Sequence, residues 1–417
     1  AGTPLKGAHF PARAKRVIQI FCSGGLSHVD TFDYKPELER RAGTPFDPGG
    51  KLQFFASKPG DCQPSFWKFR RHGQSGIWMS DLLPKLATCV DDMAFIYSMQ
   101  SKTALHGPGN FMMNTGQILP GFPSMGSWVT YGLGCETDNL PSFVVLPDKR
   151  GLPPGGIINW GAGFLPAQHQ ATTVNVNDPD QPIADLFPPK SFEMAPPTRD
   201  RVGLSLLEKL NQIHHSPRTG FSELEARIKA YEMAARLQLS APGVTDLTGE
   251  SEGTKKLYEL DHPDIGSFGR QCLLARRFSE RGVRFVQCTH SYKWDQHGNL
   301  RAGHAERAAQ VDLPIAGLLS DLKARGMLDD TLVIWGGEFG RTPTVQGPKM
   351  DGRDHNPHGF TIWMAGGGVK GGFAYGSTDE YGYYAQENPV HVHDFHATLL
   401  ALLGLDHEQL TYHHAGR

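Results

Sequence analysis

Six short apolar runs punctuate the chain: Arg16–Cys22 (RVIQIFC), Met93–Tyr97 (MAFIY), Phe143–Leu146 (FVVL), Val283–Cys288 (VRFVQC), Thr331–Trp335 (TLVIW) and Phe360–Met364 (FTIWM). Their hydrophobicity is close to continuous rather than alternating, which predicts strands buried on both faces, as in a parallel sheet. Between them the period lengthens. Asp81–Cys89 and Cys272–Arg281 read as helices. Leu204, Leu207 and Leu210, then Leu224, Ile228, Tyr231 and Ala235, recur at helical spacing within Arg201–Leu239, with Ser216-Pro217 and Gly220 as the break. Val311, Ile315, Leu318 and Leu322 form one apolar helix face that ends before Gly326. Gly107-Pro108-Gly109 predicts a turn, with a helix opening at Phe111–Met113. Asp394 is placed to cap a last helix bearing Phe395, Thr398, Leu399 and Leu402. Strands alternating with helices predict an α/β fold, a mainly parallel central sheet with helices on both faces. Residues 1–417 read as a single domain. Leu152–Asp200 and Ala241–Thr254 are loop-like, so a loop-rich and helical insertion is expected at about 150–260.

Composition narrows the classes. Hydrophobic residues make up 39% and charged residues 20%, enough for a packed core. The formal net charge is −2 with no long basic run, which argues against nucleic acid as a partner. No apolar stretch approaches the roughly 18–20 residues that span a bilayer. The six cysteines (Cys22, Cys62, Cys89, Cys135, Cys272, Cys288) form no CxxC pair, so a zinc finger has no support. Buried free thiols are the expectation, with one or two disulfides as the alternative in an exported protein.

The histidines carry the chemical signal. His28, His106, His290, His297, His355, His358, His391 and His393 fall after predicted strands or in loops, accompanied by Asp30, Asp295, Glu338, Asp354 and Asp394. Strand ends are where open α/β sheets bind ligands. Imidazole with carboxylate suits zinc, manganese or iron; carboxylate without imidazole suits calcium or magnesium. In WDQHG, Asp295 and His297 are two apart and share a face if extended; a capped turn is the structural alternative. Glu338 follows a buried strand, where a carboxylate needs a cation or donors. Arg341 is its nearest structural partner, or a guanidinium for an anionic substrate. In DHNPHG, Pro357 stiffens the turn between His355 and His358. His169, His214 and His215 lack acidic company and read as ordinary.

Several of these segments are familiar. FCSGGLSHVDTFD, LHGPGNFMMNTG, PSMGSWVTYGLG, RQCLLARRFSERGVRFVQ, WDQHGN, GGEFGRTP, GRDHNPHGF and HDFHATLLALLGLDHEQLTYHHAGR resemble the DUF1501 family, a bacterial family of unknown function often described as sulfatase-like. That family resembles the alkaline phosphatase superfamily of phosphatases, sulfatases and phosphoglycerate mutases. The resemblance implies an exported protein, periplasmic or secreted, whose signal peptide has been removed. It implies one or two divalent metal ions, zinc or manganese first and calcium as the alternative. His28, Asp30, Asp295, His297, Glu338, His355 and His358 are the ligands it suggests. The expected partner is a small-molecule or glycan ester, and the oligomeric state is left open.

One position departs from the superfamily. Its nucleophile, a Ser, Thr or modified Cys, lies ten residues ahead of a glycine that corresponds here to Gly116, and that position holds His106. No CxPxR sulfatase signature exists in the chain. His106 could attack as an imidazole, or serve as ligand or general acid beside a metal-activated water; Ser101 or Thr103 is the third choice. The expected function is therefore a metal-dependent hydrolase of small anionic phosphate or sulfate esters. His106 would sit at the reacting centre, and Arg341 or Lys102 would hold the anion. The alternatives are a non-hydrolytic binder of anionic glycans or metals, or a metal enzyme of another reaction type.

Overall fold

The computed structural model describes residues 7–49, 52–55, 58–178, 183, 206, 209–213, 216, 243–291, 293–346 and 351–416. In chain order the strands are β1 (Arg16–Cys22), β2 (Phe69–His72), β3 (Ile77–Ser80), β4 (Met93–Gln100), β5 (Phe143–Leu146), β6 (Thr172–Thr173), β7 (Phe285–His290) and β8 (Thr331–Gly336). They continue with β9 (Gly340–Arg341), β10 (His355–Asn356), β11 (Phe360–Ala365), β12 (Phe373–Tyr375), β13 (Ser377–Thr378), β14 (Ala385–Glu387) and β15 (Val390–His391). The central sheet runs β12-β4-β11-β8-β1-β7-β5-β6, with β15 also paired to β4. β1 lies parallel to both β7 and β8, and β5 parallel to β7 and β6, while β11 runs antiparallel to β4 and β8. All six predicted strands are present, with ends shifted by up to three residues.

The pleat divides the core in two. Ile18, Ile20 and Cys22 of β1 face one cluster, which also holds Val286, Cys288, Val333 and Trp335. Helices Gly266–Glu280 and Leu300–Ala324 cover this face, the latter through Val311, Ile315, Leu318 and Leu322, all fully buried. Val17 and Phe21 point to the opposite cluster, with Leu332 and Ile334. Helices His106–Thr115, Met125–Leu133 and Val392–Leu402 close that side through Met112, Met113, Val129, Phe395 and Leu399. The expected α/β fold, a mainly parallel sheet with helices on both faces, is the fold observed.

Local differences have local causes. The turn expected at Gly107-Pro108-Gly109 is instead the first turn of helix His106–Thr115. Proline lacks only an N–H that a first turn does not use, so the helix starts at His106 rather than Phe111. Asp81–Cys89 is not one helix; a 3₁₀ segment spans Leu86–Asp92. Asp394 is not the cap of the last helix. His391 is, and Asp394 closes the box from the third helical position by accepting from His391 N. Thr398 is exposed and Leu400 takes its place in the core. Part of the expected 241–254 loop is helical, Glu252–Leu257. The helices predicted within Arg201–Leu239 lie largely outside the described residues, as does most of the expected insertion. The six cysteines are free thiols, five of them buried.

Candidate metal centre

Because β1, β4, β7 and β8 are mutually parallel in direction, their C-terminal ends meet at one edge, and the connection into antiparallel β11 returns there. The loop after β4 delivers His106, that after β7 delivers Asp295 and His297, and that after β8 delivers Glu338. Short β10, paired with β9 so that His355 sits opposite Arg341, delivers His355. Four chain segments remote in sequence thus converge.

Their meeting point is the Asp295 carboxylate. His106 Nε2 lies 3.2 Å from Oδ2, and His297 Nε2 and His355 Nε2 lie 3.1 Å and 3.2 Å from Oδ1. His297 Nε2 and His355 Nε2 are 3.0 Å apart. The His106–Asp295 approach is at ion-pair distance without hydrogen-bond alignment, so Nε2 of His106 has no hydrogen-bond partner. Each ring is anchored from behind. Nδ1 of His106 is 2.6 Å from Glu338 Oε1, that of His297 is 2.8 Å from Gln346 Oε1, and that of His355 is 2.6 Å from the Ala104 carbonyl oxygen. All three partners accept, so each Nδ1 donates and each Nε2 is left facing Asp295. Tetrahedral zinc, with bonds of about 2.0–2.1 Å, spaces its ligand atoms about 3.3 Å apart, close to the separations seen here. Two donor groups of metal-holding dimensions result, His106–Asp295–His355 and His297–Asp354–His355, and they share His355.

The charges are mutually adjusted. Burial opposes ionisation of Asp295, but His106, His297, His355 and Arg341 outweigh it and hold the carboxyl far below its usual range. Burial also opposes a charge on His106, and Asp295 and Glu338 on either side overcome it, pushing the imidazole up to about 9. Asp295 raises His297 as well. Burial lowers His355. Phe55 stacks flat on the His355 ring, with centroids 4.7 Å apart and planes inclined by 7°, and shields one face of it.

The expected ligand set is corrected at several positions. Asp30 is fully buried, but Arg353 Nε reaches its Oδ2 at 2.7 Å and Ser27 Oγ donates to the same oxygen at 2.5 Å. Burial opposes its ionisation and the guanidinium prevails, so its pKa lies below normal. It is half of a buried ion pair and lies outside both donor groups. His28 turns Nε2 to the Gly382 carbonyl at 2.7 Å and stays outside both donor groups. His358 packs on Tyr383 and Tyr384, at centroid distances of 5.5 and 5.7 Å, and is likewise outside them. Glu338 stands behind His106 rather than beside Asp295; its Oε1 also accepts from Gly24 N at 2.8 Å, and its Oε2 is buried without a hydrogen bond.

Arg341 is fully buried, so it is not a free anion receptor. It pairs with Asp295 at 2.6 Å rather than with Glu338, and donates to the carbonyls of Gly25 at 2.7 Å and Arg353 at 3.0 Å. That close approach requires Gly25: a Cβ there would lie 2.8 Å from the Phe339 ring and 3.1 Å from Arg341 Nε, at φ +74°. Lys102 is exposed. Thr103 Oγ1 accepts from Leu105 N, and Ser101 Oγ is buried without a hydrogen bond. The roles of Arg353, Gln346 and Ala104 were not anticipated, and nothing in their sequence surroundings marks them. Since both groups of the Asp30–Arg353 pair have no exposed side-chain surface, Arg353→Met is expected to strand a buried carboxylate and cost about 3–5 kcal/mol of unfolding free energy. Urea titration of the variant against wild type measures it.

The architecture is an α/β fold, a mainly parallel central sheet with helices on both faces. Solved structures of similar shape include Ps i-CgsB bound to k-i-k-neocarrahexaose (TM-score 0.41, 11% identity, covering 97% of this chain and 75% of that one). Alkaline phosphatase from the Antarctic bacterium TAB5 is another (0.40, 10%, 95% and 99%), and the PsFucS1 sulfatase from Pseudoalteromonas sp. a third (0.39, 12%, 95% and 69%). No curated protein matches. The chain belongs to the DUF1501 family, described as proteins of unknown function, whose model matches residues 14–417.

Proposed function

We propose that this protein is a metal-dependent hydrolase of small anionic esters, phosphate or sulfate, working through one divalent ion held by His106, His297, His355 and Asp295. The observation that carries this reading is the convergence of three back-anchored imidazole Nε2 atoms on one carboxylate. Two imidazole Nε2 atoms 3.0 Å apart, as on His297 and His355, need a proton or a metal cation between them. A nitrogen-rich donor set favours zinc or manganese over calcium, which takes six to eight oxygens. Because the two donor groups share His355, they supply one ion rather than two. Such an ion would lower the pKa of water and polarise the ester oxygen.

The protein's own groups have definable tasks. Glu338, Gln346 and Ala104 fix ring orientation and tautomer, as outer partners of metal-binding histidines do. Arg341 fixes the Asp295 carboxylate. Phe55 shields one face of His355 from water. His106 is placed here as a ligand, since Glu338 occupies its Nδ1 and Nε2 faces Asp295. The ester class rests on the family resemblance. A non-hydrolytic binder is favoured by one observation: the position where the superfamily carries its hydroxyl or thiol nucleophile holds His106.

The two readings part in a single assay. Protein reconstituted with zinc or manganese is given a panel of aryl and glycosyl phosphates and sulfates, with and without chelator. Chelator-sensitive turnover that falls by more than about 10²-fold in His106→Ala, which removes a ligand, is expected. Ligand binding without turnover in either protein would establish the binder instead.

A further inference from the structure

A second polar cavity, of about 290 Å³, opens at the same sheet edge beyond the ends of β5 and β7. Asp148 and Arg150 of the loop after β5, His290 at the end of β7, and Arg307 and Gln310 of helix Leu300–Ala324 line it. Lys293 lines it too, two residues before Asp295, with the buried Trp294 between. It is a separate chamber from the metal centre.

Its cationic side chains, Lys149, Arg150, Lys293 and Arg307, outnumber its carboxylates, Asp148, Asp264 and Glu306. Trp294 Nε1 donates to His290 Nδ1 at 2.9 Å. An indole N–H can only donate, so the proton of a neutral His290 sits on Nε2. Yet Arg150 Nη2 lies 2.8 Å from that same Nε2, one donor facing another. Nearby, Gln310 Oε1 alone receives Arg150 Nη1 at 2.5 Å, His290 Nε2 at 3.1 Å and Arg307 Nη1 at 3.3 Å. Asp148 is occupied by Arg150 and by Ser291 N at 2.7 Å, and Glu306 is paired with Arg307. Ser267 and Phe268, in the first turn of helix Gly266–Glu280, also line the wall, as does Asp264 just ahead of that helix; the helix has no side-chain cap and no acid in its first turn.

The geometry points to an oxyanion site: a sulfate, phosphate or carboxylate group accepts from Arg150, Arg307 and His290 Nε2 in this cavity, where Gln310 Oε1 is the internal acceptor those donors now share. Planar guanidinium forks and a helix N-terminus are the groups that recognise such anions. The inference does not depend on the metal reading.

Calorimetric titration of the full chain with inorganic sulfate, inorganic phosphate and acetate, at constant ionic strength set with chloride, tests it. Four proteins are compared: wild type, Gln310→Glu, Arg307→Gln and Asp295→Asn. Gln310→Glu supplies a near-isosteric carboxylate to the same donors and should abolish saturable binding. Arg307→Gln should weaken it about 10- to 100-fold, as expected for one charged hydrogen bond. Asp295→Asn should leave it unchanged. A preference for sulfate and phosphate over acetate would define a tetrahedral-anion site, and the reverse a carboxylate site; either supports the proposal. Equal binding by wild type and Gln310→Glu, loss in Asp295→Asn alone, or no saturable binding of any of the three anions by wild type overturns it.

Discussion

Asp295→Asn is expected to yield a folded protein that no longer retains zinc or manganese and no longer turns over ester. Among the described residues, Asp295 is the one acid that approaches all three imidazoles, at 3.1–3.2 Å. Asparagine keeps the shape and an oxygen for Arg341 but removes the charge that makes the site attractive to a cation. Loss of an outer partner costs about 10–100-fold in metal affinity, so loss of the central carboxylate should exceed about 10²-fold. The fold should survive, because Arg341 keeps its bonds to the Gly25 and Arg353 carbonyls. Elemental analysis after dialysis, with circular dichroism as the control for folding, reads the outcome. A variant that holds metal as wild type does would place the ion elsewhere.

The second large effect is acid lability. His290, His304 and His396 are buried, the first two completely, and burial pushes their pKa values down to about 3, 3 and 4. His304 Nε2 accepts from Ser27 N at 3.1 Å, and His396 Nε2 is 2.9 Å from the Met113 carbonyl, so both rings are built in as neutral groups. The unfolded chain protonates all three near pH 6.5. Below that pH the unfolded state binds more protons than the folded one, so stability falls as pH falls. The slope approaches three protons, about 4 kcal/mol per pH unit, and by pH 5 the loss is roughly 6 kcal/mol. That is comparable to the whole stability of an ordinary domain, about 5–15 kcal/mol. The depressed carboxyls of Asp30 and Asp295 act with the same sign at lower pH. His106 works on the other flank: raised to about 9, its contribution is complete below pH 6.5 and is lost as pH rises through about 9. Urea unfolding across pH 7 to 5 should show the steep decline, and His396→Gln should remove about one proton from the slope. A decline of less than one proton would contradict the burial argument.

How much of this was legible in the sequence depends on the range of the forces involved. Strands such as Thr331–Trp335 and the apolar face Val311, Ile315, Leu318 and Leu322 were plain, because burial writes a local period. The start of helix His106–Thr115 was obscured by Gly-Pro-Gly, whose turn preference yields when proline falls in a first turn. Asp295, His297, His355 and His106 were recognisable as residues that strand ends deliver. Which acid belonged to which partner was not. The metal was expected to gather Asp30, Asp295 and Glu338 as ligands; instead Asp30 is neutralised by Arg353, 323 residues away in the chain, and Glu338 stands behind His106. Ion pairing of buried carboxylates is decided by contacts between distant segments, and neither spacing nor residue type encodes them. Arg341 shows the same limit: its guanidinium was assigned to substrate, and the fold spends it on Asp295 and two loop carbonyls.

The most direct measurement is the location of the ion itself. Crystals of the full chain grown with zinc or manganese should give one anomalous peak per chain within bonding distance of His106 Nε2, His297 Nε2, His355 Nε2 and Asp295. A well-folded crystal with no peak among those four side chains, or with its metal bound elsewhere, would contradict the account.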